Sequence, residues 1–205
     1  MANTNAPFGF RYFRGLGYTA TQEQVPAVMA YNASATYFGD PVTATAAGGV
    51  ARSASTGATP AALGIAGIFV GCKYLSVSQG RTVWSNYWGG SDVASTNSVE
   101  AYIINDPAAR WVAQTDSTGA ALADVNGTVG FVIGTGTVAG ASGTSGAYID
   151  MSTLNTSSYD IYNPFKIVEV INNGAGFPGS LGNGQAYDWV VVAFNNVGSR
   201  NFSGV

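Results

Sequence analysis

A chain of 205 residues with no histidine, a lone cysteine (Cys72), 28 glycines and only 9% charged residues is poorly supplied for acid–base or metal chemistry. Histidine titrates near neutral pH and is the commonest metal ligand, so its absence excludes the Ser-His-Asp and Cys-His nucleophile systems and the common zinc sites. The formal charge of −3, from 11 carboxylates and 8 basic residues, comes without a cationic stripe to displace counterions from phosphates, which excludes nucleic acid as a partner.

In chain order, residues 1–20 read as an extended N-terminal arm and residues 21–205 as one all-β domain. Five aromatics fall within the eleven positions from Phe8 to Tyr18, beside Arg11 and Arg14. The segment is too broken by glycine for a helix, and Pro7 favours an extended start. Two placements remain open. In one the arm lies along a sheet edge of a partner, with Pro7, Phe8, Phe10, Tyr12 and Phe13 as apolar anchors and Arg11 and Arg14 as donors to carboxylates. In the other it is the first strand of the chain's own core. The start Met1-Ala2-Asn3-Thr4-Asn5-Ala6-Pro7 lacks the basic and apolar regions of a secretory signal, and no apolar run reaches the ~18 residues of a membrane span, so folding in a cytosol without membrane contact is expected.

From residue 22 onward, short strand-like runs alternate with clusters of Gly, Pro, Asn and Ser. The runs cover 25–31, 35–43, 63–75, 81–88, 99–104, 110–115, 129–134, 146–151, 165–172 and 187–195. About ten short strands predict a single β-sandwich or barrel, jelly-roll-like. The Ala/Gly/Ser/Thr stretches 44–62 and 134–146 are expected to be long loops. The second contains Gly134-Thr135-Gly136-Thr137-Val138-Ala139-Gly140, which has neither the following helix nor the βαβ frame of a dinucleotide loop. No cofactor is expected.

The residues that could carry chemistry are few. Asp92, Glu100, Asp106, Asp116, Asp124, Asp150, Asp160, Glu169 and Asp188 include no spacing that forces two together as the acid and base of a glycosidase. Asp40-Pro41 and Asp106-Pro107 are turn dipeptides. Asp124-Val125-Asn126 is a fragment of a calcium loop whose downstream acid is missing, so no metal site is expected. Cys72, in an apolar run, reads as a small buried hydrophobe. The cluster from Val83 to Gly90 concentrates Trp84, Tyr87 and Trp88. On an exposed face these rings could stack on sugars or anchor a protein; alternatively, Trp84 and Trp88 fill the core. The chain reads as a binding or structural protein rather than an enzyme.

Several segments carry a resemblance. Met1-Ala2-Asn3-Thr4-Asn5-Ala6-Pro7-Phe8-Gly9-Phe10-Arg11, then Gly39-Asp40-Pro41-Val42, Gly67-Ile68-Phe69-Val70-Gly71-Cys72-Lys73-Tyr74, Trp84-Ser85-Asn86-Tyr87-Trp88 and Glu100-Ala101-Tyr102-Ile103-Ile104-Asn105-Asp106-Pro107 occur in an order that resembles head-associated virion structural proteins of tailed bacteriophages. The pattern departs after Arg11, where Tyr12-Phe13 stands in place of an expected proline. The resemblance implies a decoration or cement protein, made in the host bacterial cytoplasm and bound to the capsid exterior. Its implied partners are the major capsid protein and further copies of itself, as trimers or dimers. The alternatives are a carbohydrate- or receptor-binding module of a fibre or tail, another head or neck protein, or a hydrolase using two carboxylates.

Overall fold

Alternation of buried and outward residues is clearest at Val99–Ile104, where Val99, Ala101 and Ile103 point into a core while Glu100 and Tyr102 do not; this is the signature of a strand with one buried face. A computed structural model describes residues 3–16, 23–55, 65–134, 142–156, 162–171 and 184–198. The chain is all-β, with 48% strand and 3% helix. The strands are β1 (Arg11–Arg14), β2 (Val25–Met29), β3 (Thr36–Tyr37), β4 (Pro41–Ala44), β5 (Val50–Arg52), β6 (Ile65–Leu75) and β7 (Thr82–Ser85). They continue as β8 (Tyr87–Trp88), β9 (Val99–Ile104), β10 (Arg110–Gln114), β11 (Thr128–Val132), β12 (Tyr148–Asn155), β13 (Phe165–Val170) and β14 (Trp189–Phe194). Among the described residues, no helix is long and apolar enough to cross a membrane.

One sheet runs β4-β5-β2-β9-β6-β7, and because β4 also pairs with β6, five of its strands close into a barrel. Its interior holds Met29, Val42, Val50, Phe69, Cys72, Trp88, Val99, Ala101 and Ile103. The closing strand β5 lies within the stretch 44–62, which composition alone assigns to a loop. Small residues there make a tight hairpin instead: the Thr45 N–H donates to Gly49 O at 2.8 Å, Gly48 sits at φ +81°, and a Cβ on Gly49 would lie 2.4 Å from Val28 O. The expected run 35–43 divides at Gly39 (φ +94°), which separates β3 from β4. The expected run 81–88 likewise divides at Asn86 into β7 and β8. The residues 56–62 and 135–141 of the two expected loops lie outside the described residues.

The second sheet runs β1-β10-β14-β13-β11-β12 and curls until Thr115 bridges Ile149. Its buried face gathers Trp111, Phe131, Phe165 and Phe194 with Val190, Val192, Ile149 and Ile167. The barrel's outer surface supplies Ile65, Ile68 and Ile104 to this same cluster. Buried side chains thus form two clusters, where the chain's length alone permits a single core. Polar contacts also join the halves. The Ser145 hydroxyl donates to the buried Asp40 carboxylate at 2.5 Å, and Asp40 pairs with Arg52 Nε at 2.8 Å.

Residues 3–16 are extended against the chain's own sheet, with β1 antiparallel to β10. Phe10, 1% exposed, stacks on Phe165 at 4.4 Å and meets Phe131 edge-on at 6.1 Å. Phe8 packs edge-on against Trp189 and Tyr12 against Trp111. Arg11–Arg14 therefore form a first strand of the chain's own sheet, and Phe8 and Phe10 just before it pack on that sheet rather than standing free. The physical reason is that the aromatic floor of the curled sheet gains more from covering itself with Phe10 than from leaving that ring in water.

Candidate functional site

The segment proposed as an interface from sequence is split by burial. Phe10 lies inside the core and is removed as an anchor for any partner, while Pro7, Phe8 and Tyr12 are half-buried. The Arg11 guanidinium lies 4.5 Å above the Phe38 ring, and burial lowers its pKa. Three neighbouring side chains face water. A register shift between Tyr12 and Arg14 leaves Phe13 without a ladder partner; it is 47% exposed, and Leu16 is 66% exposed. Arg14 makes a solvated pair with Glu169 at 3.1 Å.

The aromatic cluster Trp84, Tyr87 and Trp88 is also divided. Trp88 is fully buried in the barrel, with its indole N–H donating to Ala33 O at 3.0 Å. Tyr87 stacks on Tyr37 at the rim. Trp84 lies on the barrel's outside and is 67% exposed. In one uninterrupted strand Trp84 and Trp88 would share a face; the break at Asn86 sends them to opposite environments.

Trp84 is nonetheless held. Register places Lys73 opposite both Trp84 and Glu100, with Gly71 opposite Tyr102, so these side chains gather on one outer face. The Trp84 and Tyr102 rings are parallel within 4° at 5.6 Å. The Tyr102 hydroxyl donates to Glu100 Oε1 at 2.7 Å, Lys73 Nζ reaches Glu100 Oε2 at 3.4 Å, and the same Nζ lies 5.2 Å from the Trp84 ring centre. The hydrogen bond to Glu100 pushes the Tyr102 pKa up to about 12, and Tyr102 in turn lowers that of Glu100. Beside the rings is an open groove of about 420 Å³ lined by Gln24, Gly71, Trp84, Ser85, Asn86 and Tyr102. Gly71 keeps its floor low, since a Cβ there would meet Ser85 O at 3.0 Å.

The sequence marks Trp84 as a possible platform and Glu100 only as one of several carboxylates, and it does not bring Lys73, Glu100, Tyr102 or Gln24 to the indole. A signal existed for two of them: once Val99, Ala101 and Ile103 are taken as the inward phase, Glu100 and Tyr102 must point outward. Other carboxylates serve local structure. Asp116 accepts from the Thr118 and Met151 amides at 2.7 and 2.9 Å, and Asp188 from Asn3 and the Gln185 amide. Among the described residues, no three of the His, Cys, Asp and Glu side chains gather as metal ligands would. Burial pushes the Cys72 thiol up to about 12, far from a reactive thiolate. Comparison with protein-family models, curated proteins and solved structures gives no match.

Proposed function

We propose that the chain is a decoration (cement) protein that binds the outside of the major capsid protein lattice of a tailed bacteriophage and stabilises the head by adhesion alone. The observation that carries this reading is the β1 edge of the curled sheet, where Phe13 and Leu16 stand in water beside Arg14 while the rest of the segment is locked into the fold. Two apolar knobs on a rigid edge fit a shallow hydrophobic pocket of a neighbouring subunit at little entropic cost, and a flanking guanidinium suits a carboxylate at its rim. The ordered resemblance of the segments from Met1 to Pro107 supports the major capsid protein as the partner. A protein that binds the assembled shell better than free subunits stabilises assembly by mass action, and several weak contacts per oligomer act together.

The test uses particles lacking this chain. Purified full-length protein is added back, and co-sedimentation and the temperature of genome release are measured. Wild type binds and raises the release temperature. The double variant Phe13→Ser, Leu16→Ser, which keeps Phe10 and the core, loses at least most of both effects. Equal binding by the double variant, or particles no more heat-resistant with the protein than without it, overturns the reading.

A further inference from the structure

The geometry points to a second binding surface: the groove beside Trp84 and Tyr102 takes a neutral sugar chain built of β-1,4-linked glucose or N-acetylglucosamine. It lies on the barrel rather than on the sheet that carries β1, so it goes beyond adhesion to the shell.

Three features combine here. First, an indole with two thirds of its surface in water forgoes the burial that places Trp88 and Trp111 in the cores, yet it is fixed by Tyr102 and Lys73, both anchored on Glu100. Covering Gly71 would require one ring, and Tyr102 already stands opposite it. A pre-positioned exposed ring loses little entropy when a ligand lands on it. Second, beyond the rings the groove is lined by Val70, Gly71 and Cys72 and by the polar side chains of Gln24, Asn86 and Ser85, two amides and a hydroxyl. Such groups meet sugar hydroxyls as both donors and acceptors. Third, the charges next to the groove cancel, because Lys73 and Glu100 neutralise one another. This leaves neither a cationic clamp for phosphate or uronate nor a carboxylate cluster for a cation.

An aromatic face with neutral polar neighbours matches a pyranose whose substituents are equatorial, for such a ring presents a continuous C–H face to the indole and its hydroxyls to the rim. A groove of about 420 Å³ is at the small end of ligand sites and accommodates a sugar unit or two of a longer chain. The Cys72 thiol beneath it stays protonated and takes no part.

The experiment titrates the full chain with cellohexaose and with chitohexaose, reading tryptophan fluorescence and the Trp84 indole N–H resonance. At least one hexasaccharide gives a saturable change at Trp84. Trp84→Ala lowers the affinity by about tenfold or more, and Gln24→Ala, a change at an exposed residue of the lining, weakens it without altering the melting temperature. Oligogalacturonate of the same length, which carries charge, gives no response. The proposal is overturned if neither neutral hexasaccharide moves the Trp84 signal, if Trp84→Ala binds as well as wild type, or if oligogalacturonate binds more tightly than both. Particle binding provides the separation from the adhesive role: Trp84→Ala still binds shells, and the Phe13→Ser, Leu16→Ser variant still binds sugar.

Discussion

The barrel and the curled sheet solve the same problem of sheet edges in different ways. The barrel closes through a continuous hydrogen-bonded ring of strands, and among the described residues nine buried hydrophobic ones fill it, against twenty in the cluster under the curled sheet. Among the described residues, the curled sheet closes only at the bridge between Thr115 and Ile149. It must therefore be covered from outside, by Phe10 from the N-terminal segment and by Ile65, Ile68 and Ile104 from the barrel. Closure by backbone frees an outer face; part of it is used for burial, while Lys73, Glu100 and Tyr102 on the rest support Trp84 of the adjoining edge strand β7 in solvent. Incomplete closure leaves an edge, and on the sheet that edge presents Phe13.

The comparison is broken most strongly at Phe10. Phe10→Ala opens a cavity among Phe131 and Phe165 and is expected to cost about 3–5 kcal/mol, read from urea denaturation followed by tryptophan fluorescence and by circular dichroism together. One coincident transition shifted to lower urea fits two clusters that share strands β6 and β9. Two separated transitions in the wild type would show halves that fold independently.

The junction comes next. Arg52→Met leaves the fully buried Asp40 carboxylate without its cation and is expected to cost about 3 kcal/mol near neutral pH. Asp40 sets the pH dependence at this place. Burial raises its pKa above the ordinary 3.8, outweighing the hydrogen bonds from Ser145 and Tyr37 and the charge of Arg52. The folded state thus holds the proton more tightly than the unfolded chain, so the stability contributed is fully present below 3.8 and is lost as pH rises through the folded value. Measured against Asp40→Asn across that window, wild type should lose stability as pH rises; a parallel pair of curves would contradict the assignment. The loss caused by Arg52→Met should shrink toward acid pH, where Asp40 is neutral.

Smaller effects sharpen the contrast between inner and outer faces of the barrel. Cys72, with its thiol pKa near 12, should resist a thiol-specific disulfide reagent at pH 8 until the protein is denatured; rapid labelling of the native state would place the sulfur at the surface. Trp84→Ala should change stability by only about 0.5–1 kcal/mol, whereas Trp88→Ala should cost about 3–5 kcal/mol. Comparable losses from the two would mean that Trp84 is a structural ring rather than an exposed platform.

Much of the strand content was readable because it rests on local pattern. Val99–Ile104 coincides with the predicted run, 25–31 and 110–115 correspond to β2 and β10 with shortened ends, and 63–75 matches β6 over its described residues 65–75. Strand β5 was not readable, since Val50-Ala51-Arg52 is too short to show alternation and its place depends on a hairpin closing against β6 through β4, a long-range event. The same limit governs the sites. Composition marked Phe8 to Arg14 and Trp84 to Trp88 as aromatic-rich, but which rings face water depends on a register shift at Phe13 and a strand break at Asn86. The Lys73–Glu100–Tyr102 support of Trp84 joins residues 29 positions apart through cross-strand register. No window of sequence contains it.

Adhesion to a shell is tested most directly by imaging intact particles at a resolution that locates this chain and counts it. The account predicts one regular set of copies on every lattice repeat outside the capsid, with Phe13 and Leu16 seated on the major capsid protein. Copies confined to a single vertex, lying inside the shell, or missing from purified particles would contradict it.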